Sequence, residues 1–169
     1  VSMERLGDVL DLSPEQAPED AASRVILPDL SGEIRMENVF FRYGGRENPH
    51  CLKNIQMEIP SGARVAIVGP SGSGKTTLAR LMVGFYTPTE GRVYMDGYDI
   101  RLMDLVSFRR KVGYVMEQSA LFSGTVTENI AVGDSEPDMR RVVECARLAN
   151  ADAFIRNLAA GYGQIVGER

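Results

Sequence analysis

The eight residues Gly69-Pro70-Ser71-Gly72-Ser73-Gly74-Lys75-Thr76 limit what this chain can become more than any other stretch of it. They fit the G-x-x-x-x-G-K-[ST] spacing of a P-loop, and they stand where that spacing has mechanical meaning. Ahead of them, Arg64-Val65-Ala66-Ile67-Val68 predicts a short buried strand. Behind them, Leu78, Leu81, Met82 and Phe85 recur at i, i+3, i+4 and i+7 and predict an amphipathic helix. Strand, glycine-rich loop and helix in that order gather backbone N–H groups and the positive end of a helix dipole around an anion. The glycines let the backbone turn tightly and approach phosphate oxygens closely. Lys75 is then expected at the β- and γ-phosphates and the Thr76 hydroxyl at Mg²⁺. Gly72, Ser73 and Gly74 supply backbone donors, and Gly69, Pro70, Ser71 and Thr77 complete the expected cofactor-binding loop. A glycine turn of purely structural origin would not need Lys75 and Thr76 directly after it.

Composition sets the frame around this loop. With 169 residues, 44% of them hydrophobic, the chain can bury a substantial core, which excludes a disordered tail. Nineteen basic residues stand against 23 acidic ones, so the net charge of -4 gives no general attraction to nucleic acid, and no nucleic-acid partner is expected. Cys51 and Cys145 are too few and too far apart for a zinc cluster or a disulfide framework. Both are expected to be buried or half-buried small side chains in a reducing compartment. The sequence holds no apolar run of membrane-spanning length and no basic-then-apolar leader at its start. A chain that starts at Val1 and stops at Gly167-Glu168-Arg169 is expected to be a piece of a larger protein.

Met3, Leu6, Val9 and Leu10 have helical spacing, and Asp11 to Asp20 is acidic with Pro14 and Pro18, so residues 1–31 are expected to be a connector with a short amphipathic helix. The texture changes at Gly32. Ile34 to Phe41 has strand character, and Leu52 to Ile59 alternates as an antiparallel strand with one solvated face, with a hairpin-like loop from Gly44 to His50 between them. Arg92 to Met95 predicts another strand before an Asp96-Gly97 turn, and Val112 to Met116 predicts a second core strand. Thr125 and Glu128 have capping-box spacing, and beyond Pro137 a helix is expected to bury Val142, Cys145, Ala146 and Ala149. The order predicts an incomplete α/β nucleotide-binding core over residues 32–169.

The loop alone does not choose among a kinase, a GTPase and a transport ATPase, although no guanine-reading Asn-Lys-x-Asp is present. From about Gly32 to Arg169 the chain resembles the first half of the ATP-binding cassette domain of an exporter-type ABC transporter. The resemblance implies an α/β P-loop NTPase, an ABC-type ATPase core with an N-terminal antiparallel β subdomain, truncated before the signature motif. Tyr43 matches the A-loop aromatic that stacks on adenine. Gln118 matches the Q-loop glutamine that approaches Mg²⁺, the attacking water and the γ-phosphate. By this resemblance Lys75 and Gln118 are the catalytic residues, Thr76 and Gln118 the metal ligands, and ATP and Mg²⁺ the cofactors. Ser119 to Asn129 would lie beside the surface that meets transmembrane domains, with Leu121 and Phe122 either in that contact or in the core. Glu168 matches a glutamate that contacts the same partner, and Met3 to Leu12 resembles the connector that follows a last transmembrane helix.

The implied function is ATP binding and, in the full-length protein, ATP hydrolysis that powers export. It would act at the cytoplasmic face of the cell membrane. Its implied partners are transmembrane domains of the same or a partner chain and a second nucleotide-binding domain in a head-to-tail dimer. The signature motif, the Walker B strand, the D-loop and the switch histidine find no counterpart in these residues. His50 precedes the P-loop and is expected to be a solvent-facing loop residue, and Asp96 and Asp99 inherit no metal role. These 169 residues alone are therefore expected to turn ATP over poorly or not at all. Two alternatives remain open: a soluble P-loop small-molecule kinase, and a nucleotide-binding regulatory fragment without turnover. Tyr43 and Gln118 favour the transport ATPase, and the transported substrate is not legible.

Overall fold

Strand β1 (Ile34–Phe41) is flanked on both sides by antiparallel partners in the computed structural model, which describes residues 14–117 and 119–167. One partner is β2 (Leu52–Ile59), with Met36 opposite Met57. After a helix, α1 (Lys75–Met82), the chain returns as β3 (Glu90–Met95), with Met36 opposite Val93. A short β4 (Tyr98–Asp99) completes the order β2-β1-β3-β4. The predicted alternation holds from Ile55 to Ile59, where one face of the sheet is packed and the other is wet, but it breaks at Asn54, where φ is 49° and the register shifts, so Leu52 is buried on the packed face and not on the polar face expected. Pairing shifts register on both sides of β1 near Asn38, whose φ of 47° belongs to a residue type that tolerates the left-handed region. Asp96 and Gly97, with φ of 50° and 82°, make the tight turn that the Asp-Gly pair predicts.

The packed face carries Met36, Val39, Phe41, Leu52, Val93 and Met95, and α1 lays Leu81 and Met82 onto it. Each such side chain contributes about 1.5–3 kcal/mol by leaving water, so the helix that follows the P-loop is held by the sheet. Of the predicted helical stripe, Leu81 and Met82 are buried and Leu78 is half-buried, while Phe85 lies beyond the helix end and is exposed. Ile100, Met103 and Phe108, the last from α2 (Leu105–Arg109), close the same cluster. Asp104 starts α2 by accepting from the Ser107 N–H at 2.7 Å.

The two predicted core strands do not form. Residues 63–70 and 112–116 are irregular, and Val68 and Val115 are 87% and 93% exposed. A buried parallel strand needs neighbours to take its backbone hydrogen bonds and layers to cover its faces. Among the described residues no stretch pairs with either run, so the first stays irregular and exposed, while in the second only Val112 and Tyr114 are half-buried, Val112 against the core and Tyr114 against Phe85.

The chain divides into two units, residues 1–114 and 115–169. In the second, β5 (Gly124–Thr125) pairs antiparallel with β6 (Ile165–Val166). Between them run α3 (Val126–Ile130), α4 (Met139–Leu148) and α5 (Asp152–Arg156). The capping box at α3 is complete: the Glu128 N–H donates to Thr125 Oγ1 at 3.1 Å and the Thr125 N–H donates to Glu128 Oε2 at 2.6 Å. Val126, Ala146 and Ile155 form a small core. On α4 Val142 and Ala146 are buried, whereas Cys145 and Ala149 are exposed, because the helix packs through a narrower stripe than its sequence predicts. Cys51 is exposed as well, so neither cysteine is the buried side chain expected. The predicted Met3–Leu12 helix, Gln118 and Glu168 lie outside the described residues.

Candidate functional site

The phosphate loop is shaped where β2 starts. Gly74 caps α1 with φ 91°, and a Cβ there would stand 2.7 Å from Leu52 Cδ2 and 3.5 Å from the Cys51 carbonyl oxygen. Glycine is needed at 74 both for its backbone angle and because β2 crowds it. The Leu78 N–H donates to the Gly74 carbonyl at 2.8 Å and so begins the helical ladder. The N–H groups of Lys75, Thr76 and Thr77 precede that first bond and face the loop as an anion-binding set. Lys75 Nζ donates to the Gly69 and Pro70 carbonyls at 2.9 and 2.7 Å, which holds the ammonium across the loop's entrance. An ammonium has three N–H donors, so one remains for an anion.

Tyr43 reaches this helix from the end of β1. Its hydroxyl shares a 2.8 Å hydrogen bond with Thr77 Oγ1, and Cys51 Sγ lies 3.6 Å from the same oxygen. Phe41 and Tyr86 meet the Tyr43 ring edge-on, with centroids 4.9 and 5.4 Å away. Asn48 Nδ2 holds the Tyr43 carbonyl at 2.9 Å. The neighbouring Arg42 ties the loop together, donating to the Arg46 carbonyl and to His50 Nε2, both at 2.5 Å. Since a guanidinium only donates, this imidazole nitrogen is the acceptor. His50 is thus not the solvent-facing residue expected: it is half-buried, with its ring edge on Phe40 and Glu90 Oε1 3.9 Å away.

The structure therefore brings together Tyr43, Gly69, Pro70, Ser73, Gly74, Lys75 and Thr77, with Ser71, Gly72 and Thr76 exposed on the same loop. Sequence reasoning did not find Cys51, Leu52, Arg42 and Tyr86 as the supports of this site, because nothing in their spacing marks them. Leu121 and Phe122 are exposed in the second unit, and Asn129 bonds both the N–H and the carbonyl of Phe122, at 2.7 and 2.9 Å. No group of three or more His, Cys, Asp or Glu that could hold a metal exists among the described residues. A hydroxyl oxygen such as that of Thr76 still suits Mg²⁺, a hard cation that takes few protein ligands beside phosphate oxygens and waters.

A family model described as ABC transporter matches residues 52–167. Over all 169 residues the chain is 41% identical to the alpha-hemolysin translocation ATP-binding protein HlyB of Escherichia coli O157:H7, covering 100% of this chain and 23% of that protein. The leukotoxin translocation ATP-binding protein LktB of Mannheimia haemolytica gives the same identity and the same coverage. The chain thus spans less than a quarter of the length of these relatives. Among solved structures, a bacterial Atm1-family ABC exporter with ATP bound is similar at a TM-score of 0.84 and 37% identity, over 99% of this chain and 29% of that one.

Proposed function

The chain belongs to the ABC transporter family, and from that premise we propose that it binds ATP with Mg²⁺ and that the full-length protein hydrolyses ATP to power export across a membrane. The observation that carries the reading is the hydrogen bond between Tyr43 and Thr77, which sets an aromatic ring against the first turn of the helix that Lys75 opens. A base-stacking face and a phosphate cradle in one place suit a nucleotide better than a bare phosphate. The relatives, which are ATP-binding proteins of toxin translocation and an exporter with ATP bound, agree with it.

In this reading the Lys75 ammonium moves from the Gly69 and Pro70 carbonyls toward the β- and γ-phosphates, while the backbone N–H groups of residues 72–77 hold the phosphate chain. Tyr43 stacks on adenine, and the Thr76 hydroxyl and Gln118 hold Mg²⁺. When bound, the ion neutralises charge that builds on the phosphate oxygens. Gln118 also orients the attacking water. The partners proposed are transmembrane domains and a second nucleotide-binding domain, which places the protein at the cytoplasmic face of a cell membrane. No helix among the described residues is long and apolar enough to cross a membrane. Residues 1–31 are proposed to be the connector and residues 32–169 part of the nucleotide-binding domain. Because the signature, Walker B, D-loop and switch-histidine contributions find no counterpart in its sequence, the 169-residue chain is proposed to bind ATP weakly and to turn it over poorly.

The test is an ATP-Mg²⁺ titration with steady-state phosphate release, on the full-length protein and on the 169-residue chain, each with and without Lys75→Ala. The expected result is turnover by the full-length protein, little by the chain alone, and loss of at least about tenfold in affinity on removing the ammonium. Nucleotide binding that survives Lys75→Ala unchanged in both proteins would overturn the assignment.

A further inference from the structure

We propose that residues 15–25 form a strap whose docking is linked to nucleotide binding through Gly84, beyond the end of α1 that lies opposite the phosphate loop: bound ATP tightens the strap, and the docked strap tightens ATP. The inference rests on the ATP-binding reading above and concerns what acts on that site from outside it.

Two consecutive side chains of the segment ahead of β1 reach the same glycine by separate routes. Glu15 takes two hydrogen bonds from the Arg109 guanidinium, and Arg109 Nη2 donates in turn to the Gly84 carbonyl at 2.5 Å. Gln16 spans the bend ahead of α2: its Nε2 donates to the Met103 carbonyl at 2.8 Å, and its Oε1 accepts from the Leu105 N–H at 3.0 Å. That bond fixes the residue whose side chain closes on Gly84, since a Cβ at 84 would stand 3.1 Å from Leu105 Cδ2. Gly84 turns the chain out of α1 with φ 68°, its N–H donating to the Leu81 carbonyl at 3.2 Å. Eight residues of α-helix make a rod about 12 Å long, so whatever steadies the last turn of α1 also steadies the anion-binding N–H groups of its first.

The strap is held in a way that lets it release. Val25 forms a parallel bridge with Met103, its N–H donating to the Leu102 carbonyl at 2.8 Å and its carbonyl accepting from the Asp104 N–H at 2.9 Å. Beyond it, Leu27 and Leu30 pack against the core and Lys111 Nζ donates to the Leu27 and Pro28 carbonyls, which anchors that end. Between Glu15 and Arg24, by contrast, the segment borders a cavity of about 780 Å³ together with Gly84, Phe85 and Leu105, and the polar contacts of Glu15 and Gln16 tie it down. A segment with few buried apolar contacts opens at low free energy, so residues 15–25 can lift while the sheet keeps its core.

A lifted strap leaves Arg109 without its carboxylate and the Leu105 N–H without its acceptor, and both then hold Gly84 less firmly. The donors at the near end of α1 are less ordered before a phosphate arrives, and ordering them on binding costs affinity. Linkage makes the effect mutual: the factor by which docking raises ATP affinity is the factor by which ATP favours docking. A pull on the chain ahead of Glu15 would thus loosen ATP without touching it.

The experiment uses the full-length protein with ATP-Mg²⁺ and reads both hydrogen exchange at the Val25 and Leu105 amides and the ATP dissociation constant. In wild type, saturating ATP-Mg²⁺ should slow exchange at both amides about five- to tenfold, at the low end of allosteric couplings. The double variant Glu15→Gln with Gln16→Ala should bind ATP more weakly by that same factor and show no slowing. Ser31→Ala removes a hydrogen bond to Asp96 at the anchored end and has no route to Gly84, so its affinity should stay within about twofold of wild type. Exchange at Val25 and Leu105 that is the same with and without bound ATP, or a double variant with wild-type affinity, would overturn the proposal. Equal weakening by Ser31→Ala would overturn it too, since general loosening of the fold would give that result. An ATP affinity that Lys75→Ala leaves unchanged would instead sink the ATP-binding reading, and the link from strap to nucleotide would go with it.

Discussion

The guanidinium of Arg109 and the carboxylate of Glu15 meet as two parallel hydrogen bonds, Nη1 to Oε2 at 2.7 Å and Nη2 to Oε1 at 2.5 Å, across 94 positions of sequence. Nη2 also donates to the Gly84 carbonyl at 2.5 Å, and the guanidinium stands 5.3 Å over the Phe85 ring. One side chain thus joins the segment ahead of the sheet, the turn that follows α1 and the end of α2. The hydrogen bond from Arg109 holds the Glu15 carboxyl below its usual range.

A depressed carboxyl stabilises the fold above its unfolded pKa, and that contribution is lost as pH falls through the folded value. Glu15 is more than half exposed, so Glu15→Gln should cost at most about 1 kcal/mol near neutral pH and less below about pH 4. Arg109→Ala should cost more, about 2 kcal/mol, because it also strips the Gly84 carbonyl and the face of Phe85. Urea unfolding at two pH values measures both. A Glu15→Gln penalty that does not shrink on acidification would remove the ion pair from the account.

Gly74→Ala is expected to destabilise by about 1–3 kcal/mol, since alanine would be forced to a φ of 91° with its Cβ 2.7 Å from Leu52 Cδ2. The same change should weaken ATP, because β2 and the loop must part to make room. A thermal melt and a nucleotide titration of the variant check both halves. A neutral variant would mean that β2 does not shape the loop.

Asp152 is held at about 2 by Arg156, then by the Tyr162 hydroxyl and by Arg147. Its stabilising contribution is therefore complete above about pH 4 and disappears as pH falls toward 2. Asp152→Asn should destabilise the second unit at pH 6 and leave it close to wild type near pH 2. Acid titration followed by the NMR shifts of Tyr162 reads this directly, and an unshifted midpoint near 4 would contradict the cluster.

For the 169-residue chain, Val68→Ser and Val115→Ser should each change stability by no more than about 0.5 kcal/mol, since neither side chain is buried. A loss of about 2 kcal/mol in chemical denaturation would show instead that these runs are packed as core strands.

Periodic features of this fold were legible in its residues. The alternation of Ile55 to Ile59, the helical spacing of Leu81 and Met82 and the Asp96-Gly97 turn each depend on local geometry, and the structure has all three, whereas the bulge at Asn54 that turns Leu52 inward left no mark in the alternation. Apolar content at Val65 to Val68 misled, because burial depends on a neighbour that the run itself does not encode. Cys145 misled for another reason: helical period tells which residues share a face and says nothing of how wide the packed stripe is. The P-loop was legible from spacing alone, whereas a role for Tyr43 came only through family resemblance. Its bond to Thr77 is set by the pairing of β1 with β2, which carries the end of β1 and the start of β2 to the same helical turn.

The helix after the phosphate loop shares a core with β1 and β3, whereas the leg before the loop, residues 63–70, has no ladder among the described residues. Amide hydrogens near Leu81 should then exchange with solvent only when the sheet opens, and those of residues 64–68 at close to the rate of an unprotected chain. The loop is hinged between a part that keeps its protons and a part that gives them up, so a ligand pulling on it draws its resistance from the helical side.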